Sequence, residues 1–355
     1  MMMTKEELCS ISGVSREILD NGLECITLNG DVTDHLPCQL KLYGLTLQGC
    51  ISLHSLPEDL DIKYLSIRQC PGIVRLPESL QLEQLYLFQS EIDVLPVHSS
   101  CWKELVLINC PNIRRIPDVC TAFAGDLFLE GCKNLESLPA IKSVYGNLNI
   151  ARTSIRHLPE NIIIGNDLEA YCSDIETLPG NSRIGGNICL SGCKNLRSLP
   201  DGLVVNGDLD LNESGLTELP DRLIVGGNLD IRSTSIQRLP DDLVVGGKIK
   251  MDANQANVSN VRTELPADLP HLIWKDSGYM YVKDKLYKVI EQHDDYWIVI
   301  APIPDVYQEI TGSDSIDSEY RFYVMKDGSH YGIGNSLKEA QEDFSSLSML
   351  LLNSR

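Results

Sequence analysis

The dipeptide Leu-Pro returns at Leu36, Leu56, Leu76, Leu95, Leu138, Leu158, Leu178, Leu199, Leu219, Leu239 and Leu265, and Ile116-Pro117 fills the one gap. Successive steps are 20, 20, 19, 21, 22, 20, 20, 21, 20, 20 and 26 residues. A period this short and this regular constrains the chain more than its composition does. It calls for one small structural unit per period, each covering its neighbour's apolar face.

Between the Leu-Pro marks each unit carries an apolar-x-apolar triplet. These are ITL at 26, LTL at 45, LSI at 65, LYL at 85, LVL at 105, LFL at 127, LNI at 148, LEA at 168, ICL at 188, LDL at 209, LDI at 229 and IKM at 249. Twelve strands are predicted. Side chains alternate across a strand, so the outer two of each triplet point into a core while the middle residue and its flanks face outward. The period and the leucine offsets are those of leucine-rich repeats, in which each unit adds a strand to a curved parallel sheet. The predicted fold is a leucine-rich-repeat solenoid of about twelve 20-residue repeats over residues 25–266.

So short a repeat leaves little room for a helix on the outer side. The proline after each core leucine suits an extended return. Segments such as VNGD (205–208), VGGN (225–228) and IGGN (184–187) precede the strands, where glycine is expected to take positive backbone angles in the re-entry turn. They recur as punctuation and open no helix, so they do not read as phosphate cradles.

Three residues after the second apolar of the triplet stand Cys50, Cys70, Ser90, Cys110, Cys132, Thr153, Ser173, Cys193, Ser214, Thr234 and Asn254. This is one structural column of small side chains turned inward at the strand's end to donate to loop carbonyls. The other cysteines, Cys9, Cys25, Cys38, Cys101, Cys120, Cys172 and Cys189, show no C-x-x-C spacing. Cys189 and Cys193 should lie on different faces, and zinc needs convergent ligands, so no metal and no cofactor are expected. Thiols interchangeable with Ser and Thr suit a reducing compartment, where the sequons at Asn212 and Asn257 go unused.

An array of strands must be covered at its ends. At residues 1–24, TKEE and SREILDNG read as helix start and stop signals, giving an N-terminal helical cap. From residue 267 to 355 the grammar changes. Strands are predicted at 279–283, 286–291, 296–300 and 320–325, and Ser336 with Glu339 opens a helix, making a small C-terminal α+β domain of antiparallel sheet plus helix. This region holds no cysteine, and His330, Asp327 and Ser329 are neighbours in one predicted turn, ill-placed for a catalytic triad. No catalytic site is expected.

Fifty acidic against thirty basic residues give a net charge of -20, which repels nucleic acid and anionic lipid. The start of the chain lacks the pattern of a Sec signal peptide, and no apolar run approaches the ~18 residues of a membrane span. The expectation is therefore a protein partner. In the middle repeats the outward positions are Tyr86, Phe88, Val106, Ile108 and Phe128, apolar where solvent is expected, and these are the candidate partner-binding residues. Towards the end of the array the same positions become Asp208, Asp210, Asp230 and Asp252, broken by Arg232.

Units such as LPDRLIVGGNLDIRSTSIQRLPDDLVVGGKIKM resemble the LPX-type leucine-rich repeats of bacterial type III secreted effectors, the YopM and IpaH/SspH group, over residues 25–266. The resemblance implies a secreted virulence factor acting on a host protein in the host cytosol. Many such effectors carry a ubiquitin-ligase domain with a catalytic Cys-x-Asp motif after the repeats. The last cysteine here is Cys193, so that chemistry has no thiol to use. The implied function is a non-enzymatic scaffold. PDVYQEI and YGIGNSLKEAQEDF are similar to the last part of HicB-like antitoxin folds, without their spacing, which keeps a bacterial cytosolic regulator as the alternative, beside an enzyme with an unrecognised C-terminal site.

Overall fold

The computed structural model describes residues 4–12, 23–30, 34–97, 103–253 and 261–266, and the strand segments 279–282, 285–292, 297–301, 321–326 and 329–334. The chain divides into two compact units, 1–265 and 266–355.

In the first unit a helix α1 (Lys5–Ser12) is opened by a reciprocal cap, as the sequence predicts. The Thr4 amide donates to Glu7 Oε2 at 2.8 Å, and the Glu7 amide donates to Thr4 Oγ1 at 3.2 Å. Leu8 of this helix is wholly buried in the common core. The remainder of the expected cap, residues 13–22, lies outside the described residues.

Five five-residue strands follow: β1 (Cys25–Asn29), β2 (Gly44–Gln48), β3 (Tyr64–Arg68), β4 (Gln84–Phe88) and β5 (Glu104–Ile108). Each later coil holds two short strands. They are β6 (Ala122–Phe123) with β7 (Leu127–Phe128), β8 (Ser143–Val144) with β9 (Leu148–Asn149), and β10 (Ile163–Ile164) with β11 (Leu168–Glu169). Then come β12 (Arg183–Ile184) with β13 (Ile188–Cys189), β14 (Val204–Val205) with β15 (Leu209–Asp210), β16 (Ile224–Val225) with β17 (Leu229–Asp230), and β18 (Val244–Val245) with β19 (Ile249–Lys250).

The triplet strands form one twelve-stranded parallel sheet in the order β1-β2-β3-β4-β5-β7-β9-β11-β13-β15-β17-β19. The chain is thus a parallel β-solenoid of about eleven turns. Outer triplet residues from Ile26 to Ile231 are all buried, each leucine contributing on the order of 2 kcal/mol of transfer free energy. The Leu-Pro leucines join them, except Leu138, which is partly buried, and Leu265, which is 36% exposed.

Coil length accompanies the two strand patterns without fixing them alone. The Leu-Pro leucine precedes the first triplet residue by nine positions at Leu36, Leu56 and Leu76, by ten at Leu95 and from Leu138 to Leu239, and Ile116 precedes it by eleven. The coils from β6 onward build a second pair of small sheets, β12-β10-β8-β6 and β14-β16-β18, in front of the main strands. At the end of the array Arg262 pairs with Val244, its backbone bonded to Leu243 and Val245, which covers the edge of β18. That is one structural use of the long final step of 26 residues.

The glycines do different work from the one expected. None of Gly186, Gly207 and Gly227 has a positive φ; they are small because coils approach closely. A β-carbon on Gly227 would sit 2.1 Å from Asp208 Oδ1 and 2.9 Å from the Gly207 carbonyl carbon. Positive φ falls instead immediately before the inward cysteine column, at Gly49, Gly131 and Gly192. In the same column Gln69, Gln89, Asn109, Arg152, Cys172, Glu213 and Ser233 also take φ between 51 and 57°. The left-handed turn is held by an inter-coil bond: the amides of Gly131, Arg152, Cys172 and Gly192 donate to Ala151, Tyr171, Ser191 and Asn212 at 2.8–3.0 Å. One hydrogen bond per coil outweighs part of the ~1–2 kcal/mol steric cost of that conformation.

The second unit contains an antiparallel sheet in the order β20 (Tyr279–Val282), β21 (Lys285–Gln292), β22 (Trp297–Ala301), β23 (Arg321–Lys326), β24 (Ser329–Gly334). The sequence predicts four strands; among the described residues there are five. Ser329 and His330, expected in a turn, pair with Lys326 and Met325 in β24. The helix expected from Ser336 lies outside the described residues.

Candidate interaction face

The outward face of the twelve-stranded sheet is built from three columns: the residue before each triplet, its middle residue, and the residue after it. Register places Ser66 beside Tyr86, Tyr86 beside Val106 and Val106 beside Phe128. One column over, Arg68 lies beside Phe88 and Phe88 beside Ile108. The five residues singled out in the sequence therefore occupy three adjacent strands, β4, β5 and β7.

Tyr86, Phe88, Ile108 and Phe128 are half-buried, each presenting part of its surface outward. Val106 departs from expectation. It is only 7% exposed, because the larger rings of Tyr86 and Phe128 flank it on both sides. It supports the patch from beneath more than it offers contact.

Three neighbours escaped the sequence reading. The Tyr64 ring lies 5.3 Å from that of Tyr86, the Arg68 guanidinium sits 4.2 Å above the Phe88 ring, and Glu104 accepts the Tyr86 hydroxyl. Burial, then the Glu104 carboxylate, push the Tyr86 phenol well above its ordinary range. Tyr64 and Glu104 both belong to the column before the triplet. Reading that column across neighbouring strands would have found them.

A second cluster follows two strands on. Glu130 accepts the Tyr171 hydroxyl and an Arg152 Nη1 bond at 3.4 Å, while the Arg152 guanidinium lies 5.2 Å from the Tyr171 ring. These three side chains fix one another in place.

The column before the triplet carries a ladder with a chemical alternation: Asp126, Asn147, Asp167, Asn187, Asp208, Asn228, Lys248. Each side-chain Oδ1 accepts the backbone amide of the next member, at 2.7, 3.2, 2.6, 2.8, 2.6 and 3.0 Å in turn. Asn147 and Asn228 also donate their Nδ2 to the preceding aspartate. Coils are ~4.8 Å apart, so placing a neutral amide between carboxylates removes the nearest like-charge pairs.

At the far end, the acidic column is not bare. Arg232 grips Asp230 with Nε at 2.9 Å and Nη2 at 2.6 Å, and Lys250 adds a contact at 3.7 Å. Burial opposes ionisation of Asp230, but those cations hold its carboxyl below the ordinary value of 3.8. Asp252 accepts the Ser233 amide at 2.7 Å. Glu169 and Asp210 differ: burial, then neighbouring carboxylates, push both up.

The inward cysteine column reaches the preceding coil. Sγ atoms of Cys50, Cys110, Cys132 and Cys193 lie 3.6, 3.4, 3.5 and 3.0 Å from the carbonyls of Leu28, Leu87, Leu107 and Ala170. The threonines use their own strand instead, Thr153 on Ile150 at 2.7 Å and Thr234 on Ile231 at 2.6 Å. Burial raises the Cys193 thiol. Asn254 lies outside the described residues. Among the described residues no group of three or more metal-ligating side chains converges, and no helix is long and apolar enough to cross a membrane.

Fold and face together define a parallel β-solenoid with one continuous patterned sheet surface. No family model, curated protein or solved structure matches the chain.

Proposed function

We propose that this chain is a non-enzymatic protein-binding scaffold of the leucine-rich-repeat kind, engaging its partner through the patch of Tyr86, Phe88, Ile108 and Phe128. One observation carries the reading: these apolar side chains stand half-exposed side by side on three strands of a face whose other middle-column residues are mostly polar or charged, such as Thr46, Asn149, Glu169 and Asp210. Their remaining surface is stabilised only when another molecule covers it, and aromatic anchors concentrate binding free energy. Arg68 above Phe88 adds a polar rim. The resemblance to LPX-type effectors supports a host protein as the partner and type III delivery as the route.

The test is capture from host cytosol by the full-length chain and by its Phe88→Asp/Phe128→Asp variant. The two positions are about 10 Å apart, two strand spacings. The native chain should retain a protein that the variant does not, with equal circular dichroism and melting, since Leu85, Leu87, Leu127 and Leu129 in the core are untouched. An unfolded variant would place the pair in the core; equal capture would place the functional surface elsewhere.

A further inference from the structure

Beyond the aromatic patch and before Asp230, four carboxylates lie on the same outward face, on the coils of β11 and β15. In the middle column the order is Phe128, Asn149, Glu169, Cys189, Asp210, each in register with the next. Glu169 and Asp210 therefore lie about 10 and 19 Å from Phe128, two and four strand spacings away. Asp167 and Asp208 flank them in the column before the triplet. The three outward columns of β11, β13 and β15 contain no lysine or arginine. The cations that border this stretch are committed: Arg152 to Glu130, and Arg232 and Lys250 to Asp230. Among the described residues Glu169 and Asp210 have no ion pair: Asp210 accepts the Asn212 amide at 2.9 Å and feels Arg232 and Lys250 only at a distance, so the repulsion among these carboxylates is relieved only in part.

We propose that the partner carries a basic stretch beside its apolar anchor, the anchor covering Phe88, Ile108 and Phe128 while lysines or arginines of the same segment reach Glu169 and Asp210. This rests on the protein-binding reading above and adds the partner's chemistry to it. A cationic side chain here gains attraction from two carboxylates that pay no desolvation of an existing pair, and long-range attraction orients the approach. An acidic or phosphate-bearing partner meets repulsion along the same stretch.

Three fluorescent peptides test it against the full-length chain. One carries Trp and Leu, a Gly-Ser spacer of about six residues spanning roughly 13 Å, and about six lysines. The second replaces the lysines by glutamate, and the third replaces Trp and Leu by glycine. The first should bind best, and its affinity should fall about tenfold or more between about 50 and about 300 mM salt. Glu169→Gln with Asp210→Asn should weaken it about tenfold and flatten that salt dependence, with unchanged melting. Phe88→Asp/Phe128→Asp should abolish it. If the neutralised variant keeps full affinity and salt dependence while the aromatic variant loses binding, the basic stretch is wrong and the protein-binding reading stands. If the aromatic variant binds as well as the native chain, that reading falls too. Equal binding of the lysine peptide lacking its anchor, or no binding of any peptide, also overturns the proposal.

Discussion

The thiol of Cys193 lies 3.0 Å from the carbonyl oxygen of Ala170, one coil earlier in the stack. Ser173, in the equivalent slot of that earlier coil, has its hydroxyl 3.6 Å from the same sulfur. The two residue types thus occupy one column in direct succession, and the column asks for a small polar side chain, not for sulfur chemistry: Ser90 accepts the Ile92 amide there, and the Ser214 hydroxyl has no hydrogen-bond partner among the described residues.

Replacing Cys193 or Cys132 by Ser should therefore cost about 1 kcal/mol or less, because the hydroxyl keeps a donor at a buried carbonyl. Urea unfolding of the single variants reads this directly. Metal release, or loss of folding in both, would contradict it.

Gly49 and Gly131 share the left-handed conformation, at φ 66 and 74°, but not the same surroundings. A β-carbon on Gly49 meets nothing nearer than 3.9 Å, whereas on Gly131 it would meet Asn109 Oδ1 at 2.2 Å. Gly49→Ala should cost about 1 kcal/mol, the backbone term alone. Gly131→Ala should cost more, and Asn109→Gly in the same chain, which removes that oxygen and suits the left-handed backbone of position 109, should restore part of the difference. Melting of the two single variants and the double variant separates the contributions.

The alternation in the amide ladder makes a third prediction. Asn187→Asp would put carboxylates at 167, 187 and 208 in three successive coils, about 4.8 Å apart. Stability should fall by on the order of 1 kcal/mol at low salt and recover as salt is added. Asp167→Asn, which keeps an acceptor for the Asn187 amide, should be milder. Comparable losses for both, independent of salt, would mean that charge spacing is irrelevant to the ladder.

Acid should act in two opposite directions. Glu169 and Asp210 are raised, so their ionisation penalises the fold, and the penalty is relieved as pH falls through their folded values towards 4.5 and 3.8. Asp230 is lowered: its contribution is present above 3.8 and is lost as pH falls through its folded value. Melting temperature measured against pH should gain from the first pair before losing from the third residue. Glu169→Gln should shrink the gain, and Asp230→Asn should shrink the acid loss.

The sequence revealed the solenoid because its signals are periodic: the Leu-Pro mark, the triplet and the small inward residue each repeat in every coil. The twelve strands and the core leucines follow from period and alternation alone. The left-handed column was not legible, since Gln69, Arg152 and Glu213 sit where Gly131 and Gly192 do, and no residue type marks the position. Only the inter-coil bond that rewards the conformation identifies it. The patch itself was legible as apolar residues in outward columns. Val106 was misjudged because its cover comes from strands on either side, and burial of that kind depends on the size of neighbours twenty or so residues away. Tyr64, Arg68 and Glu104 were missed because their contacts with Tyr86 and Phe88 join strands about twenty residues apart, although the column before the triplet, read across strands, holds Tyr64 and Glu104.

Every inter-coil backbone bond joins a residue to one about twenty positions further on, as in Gly131 to Ala151 or Cys172 to Ser191. Tension applied between the first and last coils therefore loads the interfaces in series, and each carries the whole force with only its own few bonds. Such a stack yields by peeling one coil at a time, a mechanical fuse whose weakest interface decides where opening begins.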